Sequence, residues 1–130
     1  MKGSCLCGAV AWETDATPRQ PVACHCTQCR KQTGHYWAAS QVPASALRID
    51  GEVRWFQASP TARRGFCPTC GSFLFWQPME SGQPAATISF ALGGVDGPTG
   101  LAVARHIFLA SKGDYYAIED GPARHEGDWP

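Results

Sequence analysis

Apolar and polar positions in this chain follow the two-residue period of strands more than the period of a helix. "AVAWET" near residue 10 alternates small or apolar side chains with larger ones, and "LRIDGEVRWF" sets the tight-turn pair Asp50-Gly51 between two β-rich runs, which predicts a hairpin. Three further runs concentrate β-branched and aromatic residues between Gly, Pro or Ser: "SFLFW" after Cys70, "ATISFAL" near residue 90 and "RHIFLA" near residue 107. Helical signals are few. Thr27 predicts the cap of a short helix through "QCRKQ" that stops at Gly34, and "PASAL" predicts one turn after Pro43. Fourteen glycines and ten prolines lie mostly between the strand candidates, so the expected fold is mainly β, antiparallel sheets with short helical turns. Trp12, Trp37, Trp55 and Trp76 fall in or beside these runs and are expected to pack on the sheets, with Trp37 and Phe66 the candidates to edge a cleft. "LGGVDG" at 92–97 has neither P-loop nor dinucleotide spacing and no helix pattern after it, and reads as a loop.

Composition narrows the class. The 130 residues match one ordinary domain, and with no repeat, low-complexity block or charged tail the expectation is a single domain over 1–130. Formal net charge is zero, which gives no basic stripe for nucleic acid and no attraction to an anionic membrane. No apolar run approaches a membrane span, and "MKGSCLCGAVAWE" lacks an apolar stretch before a cleavage site, so a cytoplasmic protein is expected. Seven cysteines are an odd number, and a reducing compartment keeps thiols free. Metal binding is the leading explanation.

The cysteines form three groups: Cys5 and Cys7 in "CLCG", Cys24, Cys26 and Cys29 in "CHCTQC", and Cys67 with Cys70 in "CPTCG". In a C-P-x-C-G knuckle a tight turn brings two sulfurs to one point, and the following Gly permits the positive φ that aims backbone N–H groups at them. A closed tetrahedral zinc needs two more ligands, and "CLCG" offers them. Pairing the knuckle with two sulfurs of the triple is the alternative; the four-plus-three division is preferred because Gly follows the second sulfur in both "CLCG" and "CPTCG", whereas Arg30 follows Cys29. Iron also suits such a knuckle, and a colourless protein would dismiss it.

Three protein ligands with a vacant fourth position is the usual pattern of a catalytic zinc. Three thiolates leave the ion with a formal net charge of about −1, a poor hydroxide generator and a better host for a soft thiolate. Ionising a bound thiol gains only about fivefold in reactivity once its lowered nucleophilicity is counted, so larger acceleration requires orientation beside a carbonyl or thioether partner. His25, flanked by two candidate ligands, is expected to turn its ring away from the ion, with ligation the alternative. His35 and His106 read as ordinary hydrogen-bonded histidines, His35 having a place beside the pocket as its alternative. Arg30 and Lys31 could offset an anionic metal centre, although such a pair also suits a solvated face.

"CLCG", "CHCTQC" and "FCPTCGS" in that order, with the closing "RHIFLASKGDYYAIEDG" and a final "WP", resemble the glutathione-dependent formaldehyde-activating enzyme family, the domain also found in centromere protein V. The resemblance implies a mostly β fold of the Mss4-like kind and two zinc ions per chain. One would be structural on Cys5, Cys7, Cys67 and Cys70, the other at the reaction site on Cys24, Cys26 and Cys29. It also implies carbon–sulfur lyase chemistry that joins formaldehyde and glutathione as S-hydroxymethylglutathione, so the implied partners are a small-molecule thiol and an aldehyde. No motif identifies glutathione-binding residues, and a non-catalytic zinc-stabilised binding module is the alternative.

Overall fold

The computed structural model describes residues 1–119 and 121–129. Asp120 and Pro130, which belong to the closing segments quoted above, lie outside the described residues. In chain order the elements are β1 Lys2–Ser4, β2 Ala11–Thr14, β3 Val22–Cys24, α1 Thr27–Thr33, β4 Trp37–Pro43, β5 Leu47–Asp50, β6 Arg54–Ser59, β7 Ala62–Phe66, β8 Phe73–Glu80, β9 Gln83–Pro84, β10 Thr87–Ala91, β11 Arg105–Ile107 and β12 Ala123–Arg124. Single 3-10 turns follow β4 and β10, and another covers Leu109–Ser111. The fold is mainly β, as the residue patterns lead one to expect. The contacts divide it into two compact units: Met1–Arg19 with Ser40–Gly100, and Gln20–Ala39 with the chain from Leu101 onward.

The first unit holds a sheet of order β1-β2-β5 and a run of strands β10-β8-β7-β6, with β9 paired to β8. The pairs β1–β2, β2–β5, β10–β8, β8–β7, β7–β6 and β8–β9 are antiparallel. Its core collects Trp12, Leu47, Leu74, Phe75, Ile88 and Phe90 from these strands, with Val10 just before β2, Val42 near the end of β4, and Cys5 and Cys67. Side chains such as Phe75, Phe90 and Leu74, at 0–1% exposure, each contribute about 1.5–3 kcal/mol through burial. Trp12 packs on Phe90 with ring centroids 4.7 Å apart, and it requires Gly3 opposite: a Cβ there would sit 2.3 Å from the indole. Residue type thereby sets a close strand–strand approach.

The hairpin expected around Asp50-Gly51 does not form. β5 pairs with β2, from Ala11↔Asp50 to Thr14↔Leu47, while β6 pairs with β7. Gly51, at φ +98°, serves a close approach instead, since a Cβ on it would lie 2.1 Å from the Ala9 carbonyl oxygen. Alternation shows that a run is a strand but does not name its partner.

The second unit has the order β12-β11-β3 and then Trp37–Ala39, the start of β4. β3 and β4 are antiparallel, but β11 lies parallel to both β3 and β12, so the sheet is mixed and not wholly antiparallel. "RHIFLA" is cut short because Phe108 turns left-handed at φ 57°, and the tail is held by bonds such as His125 N–H to His106 O at 2.9 Å. Gly34 ends α1 in the left-handed conformation at φ 81°, as the pattern predicts. The cap at the other end is not Thr27 but Cys26, whose sulfur accepts the Cys29 N–H. Trp37 is 8% exposed and packs in the interior.

Candidate metal centres

Cys5 and Cys7 sit in the turn that leaves β1, Cys67 and Cys70 in the turn between β7 and β8. The two turns are built alike. In each, a glycine of positive φ follows the second cysteine, Gly8 at 80° and Gly71 at 79°. Gly8 N–H donates to Cys5 O and Gly71 N–H to Cys67 O, at 3.1 and 2.8 Å. Amides also point at sulfur: Val10 N–H donates to Cys5 Sγ at 3.3 Å and Cys70 N–H to Cys67 Sγ at 3.5 Å. Ser72, the last letter of "FCPTCGS", was not singled out by sequence reasoning, yet its Oγ accepts the Leu6 N–H at 2.9 Å and lies 3.2 Å from Cys70 Sγ. It ties one turn to the other.

The four sulfurs lie within 4.8 Å of one another. Cys5 Sγ is 3.6 Å from Cys7 Sγ, which is 3.8 Å from Cys67 Sγ. A disulfide would need about 2.05 Å. Ligands about 2.3 Å from a tetrahedral zinc stand about 3.8 Å apart, so the arrangement fits the ion. The thiols resist ionising together. The Ser72 hydroxyl holds Cys70 down to about 5. At Cys7 the Ala9 amide pulls downward, but desolvation and the Cys5 sulfur prevail and push it up to about 11. A dication among the sulfurs would relieve that resistance.

Cys24, Cys26 and Cys29 form the other group, also within 4.8 Å of one another. Cys24 closes β3, whose register places it opposite Trp37 on β4 and Ile107 on β11. Cys26 caps α1 and Cys29 lies in its first turn, where its N–H donates to Cys26 Sγ at 3.3 Å. A strand end followed at once by a helix start is therefore what converges three sulfurs from six positions. Cys24 and Cys29 are buried and Cys26 is half-buried. The neighbouring Cys26 and Cys29 sulfurs, with burial, push the Cys24 thiol up. A soft, thiophilic cation suits this donor set.

His25 is fully buried and its ring is directed at other side chains: Nδ1 is 2.5 Å from Tyr116 Oη and Nε2 is 2.9 Å from His106 Nδ1. His106 is thus a hydrogen-bonded interior histidine. His35 is exposed, with its ring centroid 4.3 Å from that of Tyr36 and 4.3 Å from that of Tyr116. Lys31 faces solvent, whereas Arg30 is half-buried and its Nε has no hydrogen-bond partner among the described residues. No short motif marks Tyr116, which sequence reasoning passed over.

A family model described as glutathione-dependent formaldehyde-activating enzyme, GFA, matches residues 1–111. The chain belongs to this family. All seven cysteines lie in the matched stretch, and the segment from Lys112 onward lies beyond it. A solved neighbour, a Rhodobacter sphaeroides protein from a structural-genomics programme, shares 28% identity at a TM-score of 0.61, covering 77% of this chain and 92% of that one. Against curated proteins the sequence finds no match. No helix among the described residues is long and apolar enough to cross a membrane.

Proposed function

We propose that this GFA protein is a cytoplasmic, two-zinc enzyme of one domain that makes or breaks a carbon–sulfur bond in a thiol adduct, with glutathione and formaldehyde as the first pair to test. Cys5, Cys7, Cys67 and Cys70 would hold a structural zinc, and Cys24, Cys26 and Cys29 a zinc at the reaction site. The observation that carries the reading is the unequal division of the sulfurs into groups of four and three, the smaller one donor short of a closed tetrahedral site. Bound to three sulfurs, zinc supplies a Lewis-acidic position able to take a thiolate.

The reaction in this reading joins a thiol to an aldehyde: the sulfur–carbon bond forms, the carbonyl π pair moves to oxygen, and the thiol proton ends on that oxygen. The chain's own contribution is placement. β3 and α1 fix the three sulfurs, Cys24 and Cys29 are buried, and Arg30 brings positive charge next to Cys29 in sequence. Orientation of the two reactants is where the larger acceleration lies.

The test is zinc stoichiometry together with NMR measurement of formaldehyde–glutathione exchange. Two ions per chain and exchange above the spontaneous rate are expected. Exchange at the background rate with both ions bound removes this substrate pair. An X-ray absorption signature of an inert S₃N shell for the second ion would convert the site into a structural one and the protein into a zinc-stabilised binding module.

A further inference from the structure

His25 is the one residue that adjoins two of the three clustered cysteines, so its Cα lies about 3.8 Å from the Cα of each. Rotation of its backbone displaces two sulfurs at once. The structure holds it from several directions: its N–H donates to Ile107 O at 3.0 Å, and its two ring nitrogens meet Tyr116 Oη and His106 Nδ1. An imidazole has two ring nitrogens, and both are used. The ring also packs on those of Tyr36 and Tyr116, with centroids 5.1 and 5.6 Å away. If His25 served packing alone, an apolar side chain would do so without requiring two polar partners, one of them the buried His106.

The partners come from different places. His106 is delivered by β11, whose parallel register sets it beside Ala23 and Ile107 beside Cys24. Tyr116 comes from the short segment 112–116, a strap that Lys112 closes on itself. Lys112 Nζ donates to Gly113 O at 2.6 Å and to Tyr116 O, and stands 4.3 Å above the Tyr116 ring. Tyr115 Oη donates to Gly34 O at 3.2 Å, at the end of the helix that carries Cys29. Two adjacent tyrosines thus reach His25, between the first two sulfurs, and Gly34, the C-cap of the helix that carries Cys29. Both lie beyond residue 111, where the family match stops, while the cysteines and both histidines lie within it.

We propose that Tyr116 and His25 are positioning residues for the Cys24–Cys26–Cys29 centre: the hydrogen-bonded chain Tyr116–His25–His106 holds the backbone between the first two sulfurs and links a thiophilic cation at the centre to the ordering of segment 112–116. The inference rests on the reading of those three cysteines as metal ligands. Linkage is reciprocal, so a strap that favours the metal-binding geometry is itself ordered by the metal. Partners one step removed from a metal commonly change affinity about 10–100-fold when lost.

The experiment uses the full chain loaded with zinc and titrated with a chromophoric chelator, then with Co²⁺ replacing zinc. The wild type is expected to release two ions in separate steps. Tyr116→Phe, which keeps the ring and removes one oxygen, is expected to release the second-site ion at about tenfold lower chelator concentration, with the four-cysteine ion unchanged and the second-site cobalt–thiolate bands shifted. His25→Leu is expected to exceed that loss, and His25→Asn, whose amide can take the Nδ1 position, to recover part of it. Unchanged second-site affinity and cobalt bands in Tyr116→Phe overturn the proposal, whether or not the melting temperature falls, and so does equal weakening of both ions. A wild type that takes up a single ion overturns the ligand assignment as well, which separates that failure from this one. Should Tyr116→Phe fail to fold, hydrogen exchange on the wild type decides: slower amide exchange across 112–116 when the second ion is bound supports the linkage, and equal exchange overturns it.

Discussion

The two cysteine clusters are built from the same side chain and are opposite in topology. In the four-sulfur cluster Cys7 and Cys67 are 60 residues apart, so an ion there crosslinks distant turns. In the three-sulfur cluster every donor comes from residues 24–29, one strand end and one helical turn. The chain-entropy estimate for a crosslink closing a loop of that longer kind is about 4 kcal/mol, against about 2 kcal/mol for a loop of a few residues. Local structure already assembles the second cluster, and its ion has less folding to do. What differs between the clusters is how much chain each ion would have to hold together, which is why the first suits a staple and the second a reaction centre.

The sharpest break of this comparison is Cys67→Ser. Structural zinc is worth about 10–16 kcal/mol in small peptides, as much as a domain's whole stability of about 5–15 kcal/mol. The variant is expected to lose one ion and fail to fold, read by zinc content and circular dichroism; a native melt with full zinc would erase the distinction between the clusters. Gly51→Ala comes next. Its Cβ meets the Ala9 carbonyl at 2.1 Å and its φ is +98°, so about 2–4 kcal/mol of stability should be lost in denaturant titration, with both ions retained. That outcome separates packing of the first unit from its metal.

Cys26→Ser sharpens the other side. Serine is a better helix cap than cysteine but supplies no sulfur, so α1 should persist while the second ion and any thiol exchange are lost, at about 1–2 kcal/mol. Global unfolding of this variant would show that the second centre is also a staple. The smallest effect belongs to Gly34→Ala, which places a Cβ on a left-handed C-cap. About 1 kcal/mol should be lost, with the chelator titration of the four-cysteine ion unmoved.

Much of this could be read before any coordinates. "CLCG" and "CPTCG" carry their glycines where positive φ is needed, and Gly8 and Gly71 adopt it. The four-plus-three grouping follows from those neighbours. β2, β8, β10 and β11 occupy the apolar runs that announce them. The hairpin at Asp50-Gly51 was misread because a turn signal gives the sharpness of a bend, not the destination of the strand after it.

By itself, then, the order of residues determined that the most apolar runs are strands, which cysteines share a turn and which family the motifs resemble, because dihedral preference, alternation and ligand spacing act over a few positions. Only the tertiary structure decided that β11 runs parallel to β3, that Ser72 bridges the two knuckles, and that His25 faces Tyr116 and His106. Those contacts join residues many positions apart, and their geometry depends on register and burial, which no local pattern encodes.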